Sequence, residues 1–327
     1  MPRHLCNLAR AVMVVACGIA LWLLGTVSGF AQDTPADFSQ ALEAFRAEEN
    51  RNAATLLETV LKEHPDHAPS HELLGLSLSA LGEESEALHH LREATILWPD
   101  QPVYWINLAV LYLRQSRAEE AEKALNKSLD VQPSAHALRL LALIRLDQNA
   151  GEDAVQLFRK ALGLAPDAVE SWYYLGLAQQ SLAHSEEALR CYEEALKRAP
   201  GDFHTQLQIG TLLLNRGRRR EALDHLRAAQ ALRPEDSDVD QRLSEAYLGS
   251  GDLDSALKSA RRAVELIPKS REAHYQLGLV LARLGKRDES QKEFALSDAL
   301  PKKPETTPLE RWRKLRSGAR RTDEAKP

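Results

Sequence analysis

The chain has 327 residues, an ordinary apolar content and a formal net charge of −5. That balance argues against a dedicated nucleic-acid binder, and Gly and Pro are too sparse for a disordered chain. Charge is uneven: residues 302–327 hold nine Lys/Arg against four Asp/Glu, residues 1–31 add only Arg3 and Arg10, and the body between is left at −12. An acidic body with a basic tail predicts two different surfaces.

In chain order, Arg3, His4 and Arg10 precede an uncharged run from Ala11 to Gln32, with an apolar heart at residues 11–24. Gly29 and Ala31 stand where a signal peptidase needs small residues, so residues 1–31 read as a secretory signal peptide. An uncleaved anchor is the rival, because the run is just long enough to span a bilayer. Either places the rest of the chain outside the cytoplasm, with Arg3 and Arg10 kept inside. Val14-Val15-Ala16-Cys17 also looks like a lipoprotein box, but the apolar stretch continues past Cys17. Of the cysteines only Cys191 lies beyond this segment. It has no partner for an internal bridge and reads as a small residue on a helix face.

Seven prolines then keep time: Pro65, Pro99, Pro133, Pro166, Pro200, Pro234 and Pro268, spaced 34, 34, 33, 34, 34 and 34. A strict period of this size marks a stacked repeat array. Residues 169–202 serve as template, with Val169 as position 1. Trp172, Leu175, Gly176 and Gln179 fall on one helix face. After a break around Ala183-His184-Ser185, a second helix carries Ala188, Tyr192 and Ala195, and Pro200 stops it. The other units repeat this grammar. Gly82, Gly217, Gly251 and Gly285 share one turn position, where glycine permits a left-handed close. Ala53, Ala87, Ala121, Ala154, Ala188, Ala222 and Ala256 open the second helices, where small side chains let two helices approach. The short interval before Pro166 is absorbed just after Pro133.

Trp172-Leu175-Gly176, Ala188-Tyr192 and Pro200, and again Trp105-Leu108-Tyr112, Ala121 and Pro133, give a pattern that resembles the tetratricopeptide repeat family. The resemblance covers about residues 35–301. It implies an all-α, right-handed superhelical solenoid of seven to eight helix-turn-helix repeats over residues 35–304. The first and last units are degenerate, as terminal repeats with one neighbour are. Residues 305–327 read as a basic C-terminal capping helix and tail. Thr307-Pro308 offers a helix start, Leu309, Trp312 and Leu315 recur three apart, and the helix is expected to cover the last repeat. Attachment to an anionic membrane surface is a second reading of its basic faces.

Positions 2, 5, 9 and 12 of each first helix form a stripe roughly 140° from the core stripe. A merely wet stripe would be polar, yet this one is often apolar. In the family resembled, it lines a concave groove that grips peptides or helices. The candidate partner-binding residues are Ile106, Val110, Leu113, Arg114, Arg139, Tyr173, Leu177, Leu207, Asn215, Glu245, Tyr275 and Leu279. Ile106, Tyr173 and Tyr275 are favoured because position 5 points further outward, while leucines at positions 9 and 12 could instead pack between adjacent first helices. Positions 5 and 9 carry no Lys and no Asn, which argues against clamping of a terminal carboxylate.

No phosphate loop, dinucleotide fingerprint, zinc-protease motif or metal-spaced cysteine pair occurs. His64, Asp66, His67, His71 and Glu72 cluster, but read as a solvated junction between repeats. Arg216, Arg218, Arg219 and Arg220 read as a solvated turn. No nucleophile, base and orienting group assemble. The expectation is a non-catalytic, exported scaffold without cofactor or metal that binds a protein or peptide, in the periplasm or outside the cell. The alternative is a membrane-associated accessory subunit of an envelope assembly or polysaccharide-export system.

Overall fold

The computed structural model describes residues 36–302 and 306–318. The signal or anchor segment at 1–31 and the tail at 319–327 lie outside the described residues. Sixteen helices pair into eight helix-turn-helix units, as the period requires. They are α1 (Ala36–Arg46) with α2 (Asn50–Glu63), α3 (Ala68–Leu81) with α4 (Glu84–Leu97), α5 (Pro102–Arg114) with α6 (Ala118–Val131), and α7 (Ala135–Asp147) with α8 (Gly151–Leu164). Then follow α9 (Val169–Ser181) with α10 (Ser185–Arg198), α11 (Phe203–Asn215) with α12 (Arg219–Leu232), α13 (Ser237–Ser250) with α14 (Leu253–Leu266), and α15 (Arg271–Arg283) with α16 (Arg287–Ala299). A last helix, α17, spans Pro308–Gly318. No helix among the described residues is long and apolar enough to cross a membrane.

Each hairpin closes at position 15 with a left-handed residue. Gly82, Gly217, Gly251 and Gly285 hold φ between 73° and 90° there. Glu48, Ser116, Asn149 and Ala183 hold the same position at φ 59–66° without being glycine. The turn geometry is therefore imposed by helix pairing, and four repeats adopt it against the preference of an L side chain.

Within a hairpin, the two helices meet through small residues. Ala87, Ala121, Ala154, Ala188, Ala222 and Ala256 are fully buried. Gly176 faces the ring of Tyr192 so closely that a Cβ there would overlap it. Gly75 and Gly210 meet Leu91 and Leu226 in the same way, and Gly278 meets Phe294. Where a large residue projects from the second helix, the first helix thus often drops its side chain to admit it.

The chain divides into two units. Among the described residues, the first takes in 36–144 and 309–318, the second 145–302 and 306–308. Helix α17 forms after Thr307-Pro308, and its Leu309 and Trp312 are buried. From Leu309 on it groups with the first unit. Period and capping signals locate such a helix along the chain; they do not say which apolar face it seats on.

Candidate partner-binding face

In five of the repeats position 4 ties the first helix to the repeat before it. The indole Nε1 of Trp172 donates to the Pro166 carbonyl at 2.7 Å, and that of Trp105 to Pro99 at 2.7 Å. His71 and His274 use Nε2 on Pro65 and Pro268, at 2.9 and 3.0 Å. Gln206 reaches Pro200 at 3.3 Å. Asp240 has no proton to give, and Arg262 donates to Pro234 instead, at 2.6 Å, while approaching the Asp240 carboxylate at 3.5 Å. The proline that stops a second helix leaves its carbonyl without a helical donor; at five junctions a residue six places on supplies one, and at Pro234 Arg262 does.

The same position also reaches the second helix of its own repeat. Gln206 Oε1 accepts from His225 Nδ1 at 2.8 Å. Because a carbonyl can only accept, His71 carries its proton on Nε2. Its Nδ1 then accepts from His90 Nδ1 at 2.9 Å. Burial, with His71 and His89 beside it, pushes the His90 pKa down to about 4. His274 differs: its Nδ1 faces the Glu293 carboxylate at 2.6 Å, so both ring nitrogens donate. Burial opposes that charge, yet the Glu293 carboxylate and the Pro268 carbonyl hold its pKa above the usual histidine value. The His64–Glu72 cluster is thus a bonded repeat junction, and among the described residues no group of side chains is arranged to hold a metal.

With the helices so held, the stripe at positions 2, 5, 9 and 12 becomes legible residue by residue. In the first unit, Ile106 and Leu113 are buried, while Val110, Arg114 and Arg139 are partly exposed. Arg114 donates to Ser79 Oγ at 2.5 Å and pairs with Glu84 at 3.1 Å, so it bridges two repeats. Glu72, at position 5, is buried and accepts from the Asn107 amide at 2.7 Å. Burial outweighs that bond and pushes its pKa up to about 7. In the second unit, Leu177 is buried, Tyr173, Leu207 and Leu279 are partly exposed, and Asn215, Glu245 and Tyr275 are exposed. Tyr173 leans on Tyr174 and Tyr192, at centroid distances of 5.2 and 5.9 Å.

The outward reading of position 5 therefore holds for Tyr275 and fails for Ile106. Packing over the stripe differs along the chain, which helical periodicity alone does not register. Glu245 and Tyr275 come together with Gln241, Arg242, Glu272 and Lys302 around a cleft of about 550 Å³. Arg242 pairs with Glu245 at 3.2 Å, and the Tyr275 ring rests 5.6 Å from that of Phe294. The cleft thus offers an aromatic face rimmed by charges of both signs. Sequence reading places Glu72 on the stripe as a polar residue but misses its burial; the only signal was an acid at position 5, where Phe38 and Ile106 in the flanking repeats are apolar.

Other features resolve into structure. Cys191 is buried, and burial pushes its thiol up to about 11. In the arginine run, Arg216 pairs with Glu186 at 2.5 Å and Arg218 with Glu221 at 2.6 Å.

The repeat architecture, the proline-anchored junctions and the apolar stripe define a helical-repeat protein. The tetratricopeptide repeat model matches residues 38–102, 106–169, 169–202, 207–270 and 242–299, and the chain belongs to that family. Among curated proteins it is 23% identical over 149 residues to the auxiliary subunit NAA15 of the N-terminal acetyltransferase A complex of Arabidopsis thaliana, covering 45% of this chain and 17% of that protein. It is 31% identical over 90 residues to tetratricopeptide repeat protein 7A of Homo sapiens, covering 27% of this chain and 10% of that protein. The matches thus span less than a fifth of either relative. A solved structure described as a functional characterization of Pseudomonas aeruginosa pilF is similar in fold, with a TM-score of 0.57 at 20% identity, covering 63% of this chain and 94% of that one.

Proposed function

We propose that this protein is a non-catalytic, exported scaffold that holds a segment of a partner protein against its first-helix face. The open contact lies at the last repeats. The observation that carries this reading is Tyr275, a large aromatic exposed at a repeat position where Glu72 and Ile106 are buried, at the edge of a cleft rimmed by Glu245, Gln241 and Lys302. Tyrosine offers wide contact area at low entropic cost and is enriched where binding energy concentrates. Mixed charges around it would set register and orientation.

Export rests on the Arg3–Ala31 segment. A periplasmic or extracellular scaffold would meet envelope partners, and an uncleaved segment would make it a membrane-associated accessory subunit. The test is capture of partners from the native envelope fraction by the full chain and by a Tyr275→Ala variant of equal stability. A protein retained by the first and lost by the second supports the reading. Equal retention by both moves the contact away from this face.

A further inference from the structure

Glycine inside a helix weakens it, so each one asks for a reason. Gly75, Gly176, Gly210, Gly249 and Gly278 have one, because a Cβ on any of them would overlap a neighbouring side chain. Gly163, in the last turn of α8, does not. Its φ is not left-handed, and a Cβ there would meet nothing within 4 Å. The equivalent place, three residues before each of the other prolines, carries Lys62, Ile96, Asp130, Lys197, Ala231 and Glu265. Of these seven positions only Gly163 presents bare helix backbone.

That backbone borders a cleft of about 490 Å³ between α8 and α10. Its floor is apolar. Leu162, Leu175 and Cys191 line it and are buried, and the thiol, kept protonated by burial, behaves as a small apolar group. The indole of Trp172 forms a wall, held in place by its bond to Pro166 and by Arg198 over the ring. Trp172 and Leu175 are positions 4 and 7, off the stripe at positions 2, 5, 9 and 12. Most rim charges are already matched: Glu187 pairs with Arg190 at 2.8 Å, and Glu194 with Lys197 and Arg198 at 2.5 and 2.7 Å. Arg159 lines the same cleft, is exposed, and makes no ion pair among the described residues. The cleft therefore joins an apolar floor, open backbone and one uncompensated positive charge.

We infer that the cleft between α8 and α10 is a second binding site, and that it takes a peptide segment presenting an aromatic side chain next to a carboxylate. The ring lies over Gly163, where the missing side chain lets a flat group come close to the backbone, and against the edge or face of Trp172. The carboxylate meets Arg159, whose planar fork suits it. A basic neighbour on the segment finds no free acid at Glu187 or Glu194, so the charge pattern selects against it. The volume falls within the roughly 300–1,000 Å³ of ordinary ligand pockets, enough for one aromatic side chain and its neighbour. Because the wall is already fixed by Pro166 and Arg198, little ordering is needed on binding. The site shares no residue with the cleft at Tyr275.

The test selects peptides from a displayed random heptapeptide library on the immobilised full chain, with the Gly163→Leu variant as counter-target. Leucine is a strong helix former and its Cβ meets no neighbour, so this variant is expected to melt no lower than wild type while its side chain fills the cleft. Peptides kept by wild type and rejected by the variant are expected to share an aromatic residue beside Asp or Glu. Synthesised singly, they are expected to bind Arg159→Glu about tenfold more weakly than wild type, the loss of one charged hydrogen-bonded pair. Replacing their acid by the amide should remove that difference. A library that yields no peptide distinguishing wild type from Gly163→Leu overturns the inference, and so does a distinguishing set without the acid. Tyr275→Ala is expected to leave these affinities unchanged; a loss there would place the contact at the other cleft and overturn this one. Failure here leaves capture through Tyr275 untouched, so the two readings fail separately.

Discussion

The indole of Trp172 donates to the carbonyl of Pro166, six residues earlier and in the preceding repeat, at 2.7 Å. One side chain thus links the residue that ends one repeat to the helix that begins the next. Arg198 covers the same ring at 5.1 Å. Replacing Trp172 by Phe keeps most of the ring and removes the donor. We predict a loss of about 1 kcal/mol, the usual net worth of one hydrogen bond, measured by urea denaturation.

Ala183 sits at φ 59° in a turn where four other repeats use glycine. An L residue there costs about 1–2 kcal/mol, and glycine relieves it at some cost in chain entropy. Ala183→Gly should therefore raise stability by about 1 kcal/mol. A lower melting temperature would refute the assignment of strain to this turn.

Leu175 and Tyr275 separate core from face. Leu175 is buried between helices, and Leu175→Ala should cost about 2–5 kcal/mol. Tyr275→Ala should cost less than about 1 kcal/mol, because an exposed side chain loses little on truncation. Thermal melts in the reverse order would contradict the placement of the two residues.

His90 and His274 should titrate in opposite directions. His90 is held neutral, with a folded pKa near 4, so its contribution to stability is present above about pH 6.5 and is lost as pH falls toward 4. The folded pKa of His274 lies above the unfolded value, so its contribution is full below about pH 6.5 and is lost as pH rises through the raised value. Proton NMR of the two imidazoles is expected to give one midpoint below and one above the free-histidine value. Coincident midpoints would break the proton assignment at both junctions.

Glu72 supplies a further pH dependence. With a folded pKa of about 7, it binds more protons in the folded chain between about pH 4.5 and 7, and stability falls as pH rises through that window. Glu72→Gln should leave stability at pH 4 nearly unchanged and raise it at pH 8 by up to about 3 kcal/mol. An equal effect at both values would mean that folding does not raise the carboxyl's pKa.

Much of the fold was legible because its determinants are local and repeat. Pro200 stops a helix wherever it stands, Ala188 lets helices close, and Gly251 closes a turn. The hydrogen bond from position 4 to the proline carbonyl was not legible, because Trp, His and Gln perform it interchangeably and only their donors are shared. Ile106 and Tyr275 occupy the same register and differ in exposure, since exposure depends on what lies above a residue. The seat of α17 was unreadable for the same reason: Leu309 and Trp312 announce an apolar face but not its counterpart.

The central claim is that partners meet the first-helix face at the last repeats. It is tested most directly by placing a photo-crosslinking phenylalanine at Tyr275 and, separately, at Ile96, then irradiating the full chain in its native envelope. The account predicts a defined adduct from position 275 and none from position 96. An adduct from position 96 alone, or the same adduct from both, would contradict it.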